Sequence, residues 1–119
     1  MHELTICQSL LAEVERIVSQ NGAVEAAEII VQVGPLSGVE PGLLQRTFQM
    51  ARIGTVAARA ALKIETGPVV VWCGACDRET TVVPNALLCG DCGGWKVRLR
   101  AGDELLLKRL FLAADPIAA

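Results

Sequence analysis

Several residue types are scarce in this chain, and each shortage removes a class of function. Of 119 residues one is histidine, none is tyrosine, and only two are phenylalanine and two tryptophan. Four aromatic rings leave few platforms on which bases could stack. A basic excess is missing too: eleven Lys and Arg face thirteen Asp and Glu, for a net charge of -2. No positive field gathers phosphates, which argues against a general nucleic-acid binder. The sole histidine, His2, lies far in sequence from any plausible serine or cysteine nucleophile, so no hydrolytic site can be assembled around it. No glycine-rich loop ends in Gly-Lys-Ser/Thr, so a nucleotide-phosphate cradle of that kind is absent. Long apolar runs are also lacking. The richest stretch, 29–39, is interrupted by Gln32, Gly34, Pro35, Ser37 and Gly38 and falls short of the ~20 residues a spanning helix needs. The start, Met-His-Glu with further acids at Glu13 and Glu15, is unlike a secretory leader. The expectation is a cytoplasmic protein with no membrane segment. There thiols stay reduced, and five cysteines read as metal chemistry before disulfides.

What is present is apolar and patterned. Hydrophobic residues make up 52% of the chain and charged residues 20%, which excludes disorder. Leu4, Cys7, Leu10, Leu11, Val14, Ile17 and Val18 fall on one helical stripe, and Asn21-Gly22 supplies residues that end a helix. Residues 27–33 are β-branched and bounded by Gly34-Pro35, which predicts a strand. Pro41 suits the first turn of a second helix, carrying Leu43, Leu44, Thr47, Phe48 and Ala51 and stopping near Gly54. Residues 60–66 read as another strand. Beyond Val69 short β-branched runs (69–72, 80–83, 96–100) alternate with Cys- and Gly-rich turns. The run 103–112 fits either a helix or a strand, and its β-rich neighbourhood favours a strand. The last seven residues are expected to fray.

Four of the cysteines form a strong signal. Cys73-Gly-Ala-Cys76 and Cys89-Gly-Asp-Cys92 make C-x2-C-x12-C-x2-C. Each pair sits on a tight turn, and two such knuckles supply four thiolates for a tetrahedral Zn(II). Gly74, Gly90, Gly93 and Gly94 permit the turns and let backbone N–H groups approach sulfur. Iron in a similar site is an alternative within the metal reading. A closed four-cysteine site has no open coordination position, so it can fold a small segment but cannot activate water. Cys7, on the apolar stripe, is expected to be a buried, inert thiol.

The remaining chemistry lies at the start. With Met1 retained, its α-amine, the intervening amide nitrogen and the His2 imidazole Nδ1 can close two adjacent chelate rings, and Glu3 can complete four coordination. Nitrogen-rich square-planar sites suit Ni(II) or Cu(II). Met1-His2-Glu3-Leu4, Val33-Gly34-Pro35-Leu36-Ser37-Gly38-Val39, Pro41, Leu44, Phe48, Gly54-Thr55, Ala60-Ala61-Leu62-Lys63-Ile64, the two knuckles and Gly102-Asp103-Glu104-Leu105 together resemble one family. That family is HypA, with HybF among its paralogues, the hydrogenase and urease nickel-insertion metallochaperones. The resemblance covers nearly the whole chain.

It implies an α+β protein and no enzymatic activity. Two helices would lie on a small mixed β-sheet in a nickel-binding domain, residues 1–70 and 97–119, with a zinc-ribbon domain, 71–96, inserted. The resemblance implies His2 as the essential nickel ligand and Glu3 as its modulating neighbour, so that with the Met1 amine the candidate nickel site is Met1, His2 and Glu3. The implied zinc ligands are Cys73, Cys76, Cys89 and Cys92. The implied partners are a nickel-handling GTPase of the HypB kind and the [NiFe]-hydrogenase large subunit, with urease accessory proteins in some members. Two departures stand out: Asp77 follows the second cysteine where many members have Gly, and Ala58 stands where many have an acid. A zinc-ribbon adaptor for protein partners, in which His2 is incidental, is the competing reading.

Overall fold

A computed structural model describes the backbone of residues 2–116 and the side chains from Glu3 to Pro116. The elements are α1 (His2–Gln20), β1 (Glu25–Val33), α2 (Pro41–Ala51), β2 (Ala61–Glu65), β3 (Val69–Cys73), β4 (Arg78–Val82), β5 (Val97–Ala101) and β6 (Leu105–Ala113). The class is α+β, two helices with small mixed sheets, as expected. The ambiguous run 103–112 is strand β6, at the edge of a three-stranded sheet ordered β2-β1-β6. A second sheet is ordered β4-β3-β5. The chain divides into two compact units. One contains residues 2–31, 40–64 and 107–116, the other residues 32–39 and 65–106.

In the first unit, α1 ends as Asn21-Gly22 requires. Gly22 takes φ +64°, its N–H bonds Ser19 O, and Ala23 N–H bonds Val18 O, closing the last carbonyls in a Schellman turn. Helix α2 opens with Pro41 at its first position and Glu40 as N-cap, whose carboxylate accepts from the Leu43 N–H. Cys7, Leu11, Val14 and Val18 on α1 recur at helical spacing and are buried, as are Leu44 and Phe48 on α2. Leu4, assigned to the same stripe, is instead 42% exposed. The Cys7 thiol points at Leu44 O, 3.8 Å away; burial, then the charge of Glu3, pushes its pKa up, so it is inert. Phe48 is fully buried. Phe48→Ala is expected to cost about 3–5 kcal/mol through lost transfer energy and a cavity, read by urea unfolding of the helical circular dichroism.

In the second unit, two sequence landmarks separated by nearly seventy residues meet. Gly34 N–H bonds Glu104 O at 2.7 Å and Leu36 N–H bonds Gly102 O at 2.6 Å. A Cβ on Gly34 would lie 2.2 Å from Gly102 O, so only glycine allows this approach. Gly102 takes φ +131° with Val69 against it.

Candidate metal centre

The first knuckle is the tip of a hairpin. Strand β3 pairs antiparallel with β4, Cys73 opposite Arg78, so the turn 74–77 carries Cys76 back toward Cys73. The Asp77 N–H closes it onto Cys73 O at 2.8 Å. The second knuckle precedes β5, which pairs with the other edge of β3, Cys73 opposite Val97. Its closing bond is equivalent: Gly93 N–H to Cys89 O, 2.9 Å. The residue after each second cysteine is left-handed, Asp77 at φ +54° and Gly93 at φ +71°. Asp77 is the one non-glycine with positive φ among the described residues. Aspartate tolerates this region better than most side chains, which explains how the chain departs from glycine there without losing the turn.

Support comes from outside the knuckles. The Thr80 hydroxyl accepts from Gly90 N–H at 2.9 Å, and Arg78 on β4 pairs with Asp91 inside the second knuckle. Neither residue carries a motif signal, so sequence reasoning missed both. A basic residue beside one knuckle and an acid inside the other was the available clue.

The four sulfurs of Cys73, Cys76, Cys89 and Cys92 lie within 4.8 Å of one another. Cys73 Sγ is 3.7 Å from Cys92 Sγ, and Cys89 Sγ is 3.8 Å from Cys76 Sγ. A tetrahedral ion with metal–sulfur bonds of about 2.3 Å needs sulfurs about 3.8 Å apart. The cluster fits such an ion. Donors are already aimed at the sulfurs: Asp91 N–H and Cys92 N–H at Cys89 Sγ, 3.4 and 3.5 Å, and Gly94 N–H at Cys92 Sγ, 3.4 Å. The backbone N–H groups of Cys92 and then Asp91 pull the Cys89 thiol down to about 6. Hydrogen bonds to Cys92 and then Cys89 push Cys76 up to about 12. Metal entry requires all four sulfurs as thiolates, so binding releases whatever protons the cluster holds.

The other candidate residues stand apart from this cluster. Met1 and the side chain of His2 lie outside the described residues. The His2 backbone begins α1, and Glu3 in its first turn is buried at 7% exposure. Among the described residues no helix is long and apolar enough to cross a membrane.

An α+β fold with paired Cys-x2-Cys knuckles closing on one tetrahedral position defines a small metal-binding protein. Residues 1–112 match the family described as "Hydrogenase/urease nickel incorporation, metallochaperone, hypA", and the chain belongs to that HypA family. Its members are metallochaperones and hydrogenase maturation factors, not enzymes. A relative named hydrogenase maturation factor HypA from Nitrosospira multiformis is 40% identical over 107 residues, 90% of this chain and 93% of its own. One of the same name from Aquifex aeolicus is 36% identical, covering 97% of this chain and all of its own. A solution structure of a HypA protein superposes with TM-score 0.76 at 26% identity, covering 97% of this chain and 98% of the other.

Proposed function

We propose that this chain binds Ni(II) through Met1, His2 and Glu3 and hands it over during maturation of [NiFe]-hydrogenase, with Zn(II) held structurally by Cys73, Cys76, Cys89 and Cys92. The observation that carries this reading is the sole imidazole at position 2, inside the region matching a nickel-incorporation family. Helix chemistry supports it. Since α1 begins at His2, the amides of His2 and Glu3 belong to the first turn, whose N–H groups have no intrahelical acceptor. A metal replacing those protons breaks no helical hydrogen bond. Four thiolates favour zinc for the second site; with four negative sulfurs and one divalent ion the net charge falls to about -4. The proposed setting is the cytoplasm. The proposed partners are a HypB-like nickel-handling GTPase and the hydrogenase large subunit; service to urease accessory proteins is a further part of the proposal.

The test is a nickel titration of the zinc-loaded, untagged protein across pH. Imidazole titrates near about 6.5 and an α-amine near about 7.7–8.0, and both must be unprotonated to bind. Raising pH therefore strengthens binding; lowering it through about pH 6 releases nickel with uptake of two or more protons. An affinity that stays flat from about pH 5.5 to 7.5, with no proton exchange, would assign the metal to carboxylates and reject this chelate.

A further inference from the structure

Helix α2 carries more apolar surface than the core uses. Leu44 and Phe48 face inward and are buried. One position round the helix, Leu43 and Met50 lie on the solvent side at 38% and 75% exposure, beside Leu4 of α1. Together with Arg46, Thr47 and Ala51 they line an open groove of about 680 Å³, within the size range of small-ligand and peptide sites. Burial of the α1 stripe makes the exposure of Leu4 an exception that folding does not explain. Methionine is adaptable and recurs on surfaces that accept helices.

Charge decides what the groove accepts. Its one cation is Arg46, exposed and without an ion pair among the described residues. A second copy docked on the same stripe about a two-fold axis would bring Arg46 toward its own counterpart, an unfavourable juxtaposition. A partner with a carboxylate at that point has the opposite effect. We infer that the Leu4–Leu43–Met50 groove is a docking site for an amphipathic helix of another protein, its apolar side chains entering the groove and an acidic side chain meeting Arg46. The inference does not depend on the nickel chemistry.

The experiment uses the full, zinc-loaded chain with ¹³C-labelled methyl groups. The probe is a stapled helical peptide with leucines at helical spacing and one glutamate beside the central leucine. A control peptide has lysine in place of that glutamate. The expected result is saturable shifts at Leu4, Leu43 and Met50, with the lysine peptide binding about tenfold more weakly because like charges meet. Arg46→Glu, an exposed substitution outside the core, is expected to reverse the preference. Equal affinity for both peptides overturns the inference, as do shifts confined to other residues or no binding at millimolar peptide. Concentration-dependent shifts of the same methyls without peptide assign the groove to a second copy and overturn it too.

Discussion

Cys89→Ser is expected to abolish metal binding at the four-cysteine centre and to unfold residues 65–106 around it, while the helical circular dichroism of α1 and α2 persists. Cys89 is the sulfur that receives two N–H donors and is held down to about 6, so its loss removes the thiolate best prepared for metal entry. A serine hydroxyl is a far poorer ligand for a thiolate-favouring ion. Structural zinc contributes about 10–16 kcal/mol in small zinc modules. Beyond the Thr80–Gly90 hydrogen bond and the Arg78–Asp91 ion pair, little else holds the knuckles. The outward positions of β4 and β5 are largely exposed, and the buried apolar residues of this sheet are Val69 and Val71 of β3 beside the cysteines themselves. The first unit has its own core in Cys7, Val14, Ile29, Leu44 and Phe48. Metal analysis combined with amide dispersion across residues 69–101 reads the outcome. Loss of the helix signal together with the metal would show that the two units do not fold independently.

His2→Ala is expected to abolish the proposed nickel equivalent and to leave the four-thiolate metal content and the helical signal unchanged. Outer-shell substitutions at metal sites already cost about 10–100-fold in affinity; removing a directly bound imidazole costs more. Position 2 lies at the open end of α1, so the substitution leaves the packed stripe of Cys7, Leu11, Val14 and Val18 intact. Isothermal titration with Ni(II) against the unsubstituted chain is the measurement. An alanine variant that still binds one nickel with similar affinity would move the site elsewhere. A residue-bearing tag ahead of Met1 is expected to weaken binding in the same assay, since the chelate then lacks its amine.

Sequence alone determined both helices, the knuckles and the strand runs, because each is a local property. Apolar residues every three or four positions specify α1 and α2. Two Cys-x2-Cys turns converge on one ion through short-range geometry, and the described sulfurs do lie together. Pro41 and Asn21-Gly22 fixed helix ends for reasons contained within a few residues. Tertiary structure decided whatever needed partners distant in the chain. Periodicity could not distinguish helix from strand for 103–112; it became β6 by joining the sheet ordered β2-β1-β6. The sequence marked Gly34 and Gly102 as landmarks, but only the fold showed that Gly34 leaves room for the Gly102 carbonyl while Gly102 packs against Val69. Thr80, Arg78 and Asp91 read as ordinary surface residues until the pairing of β4 with β3 set them against the second knuckle. The stripe on α1 likewise predicted burial for Leu4, yet it stays 42% exposed at the edge of the groove it lines with Leu43 and Met50. How far α2 covers a stripe residue is set by the packing of the two helices and not by spacing along one of them.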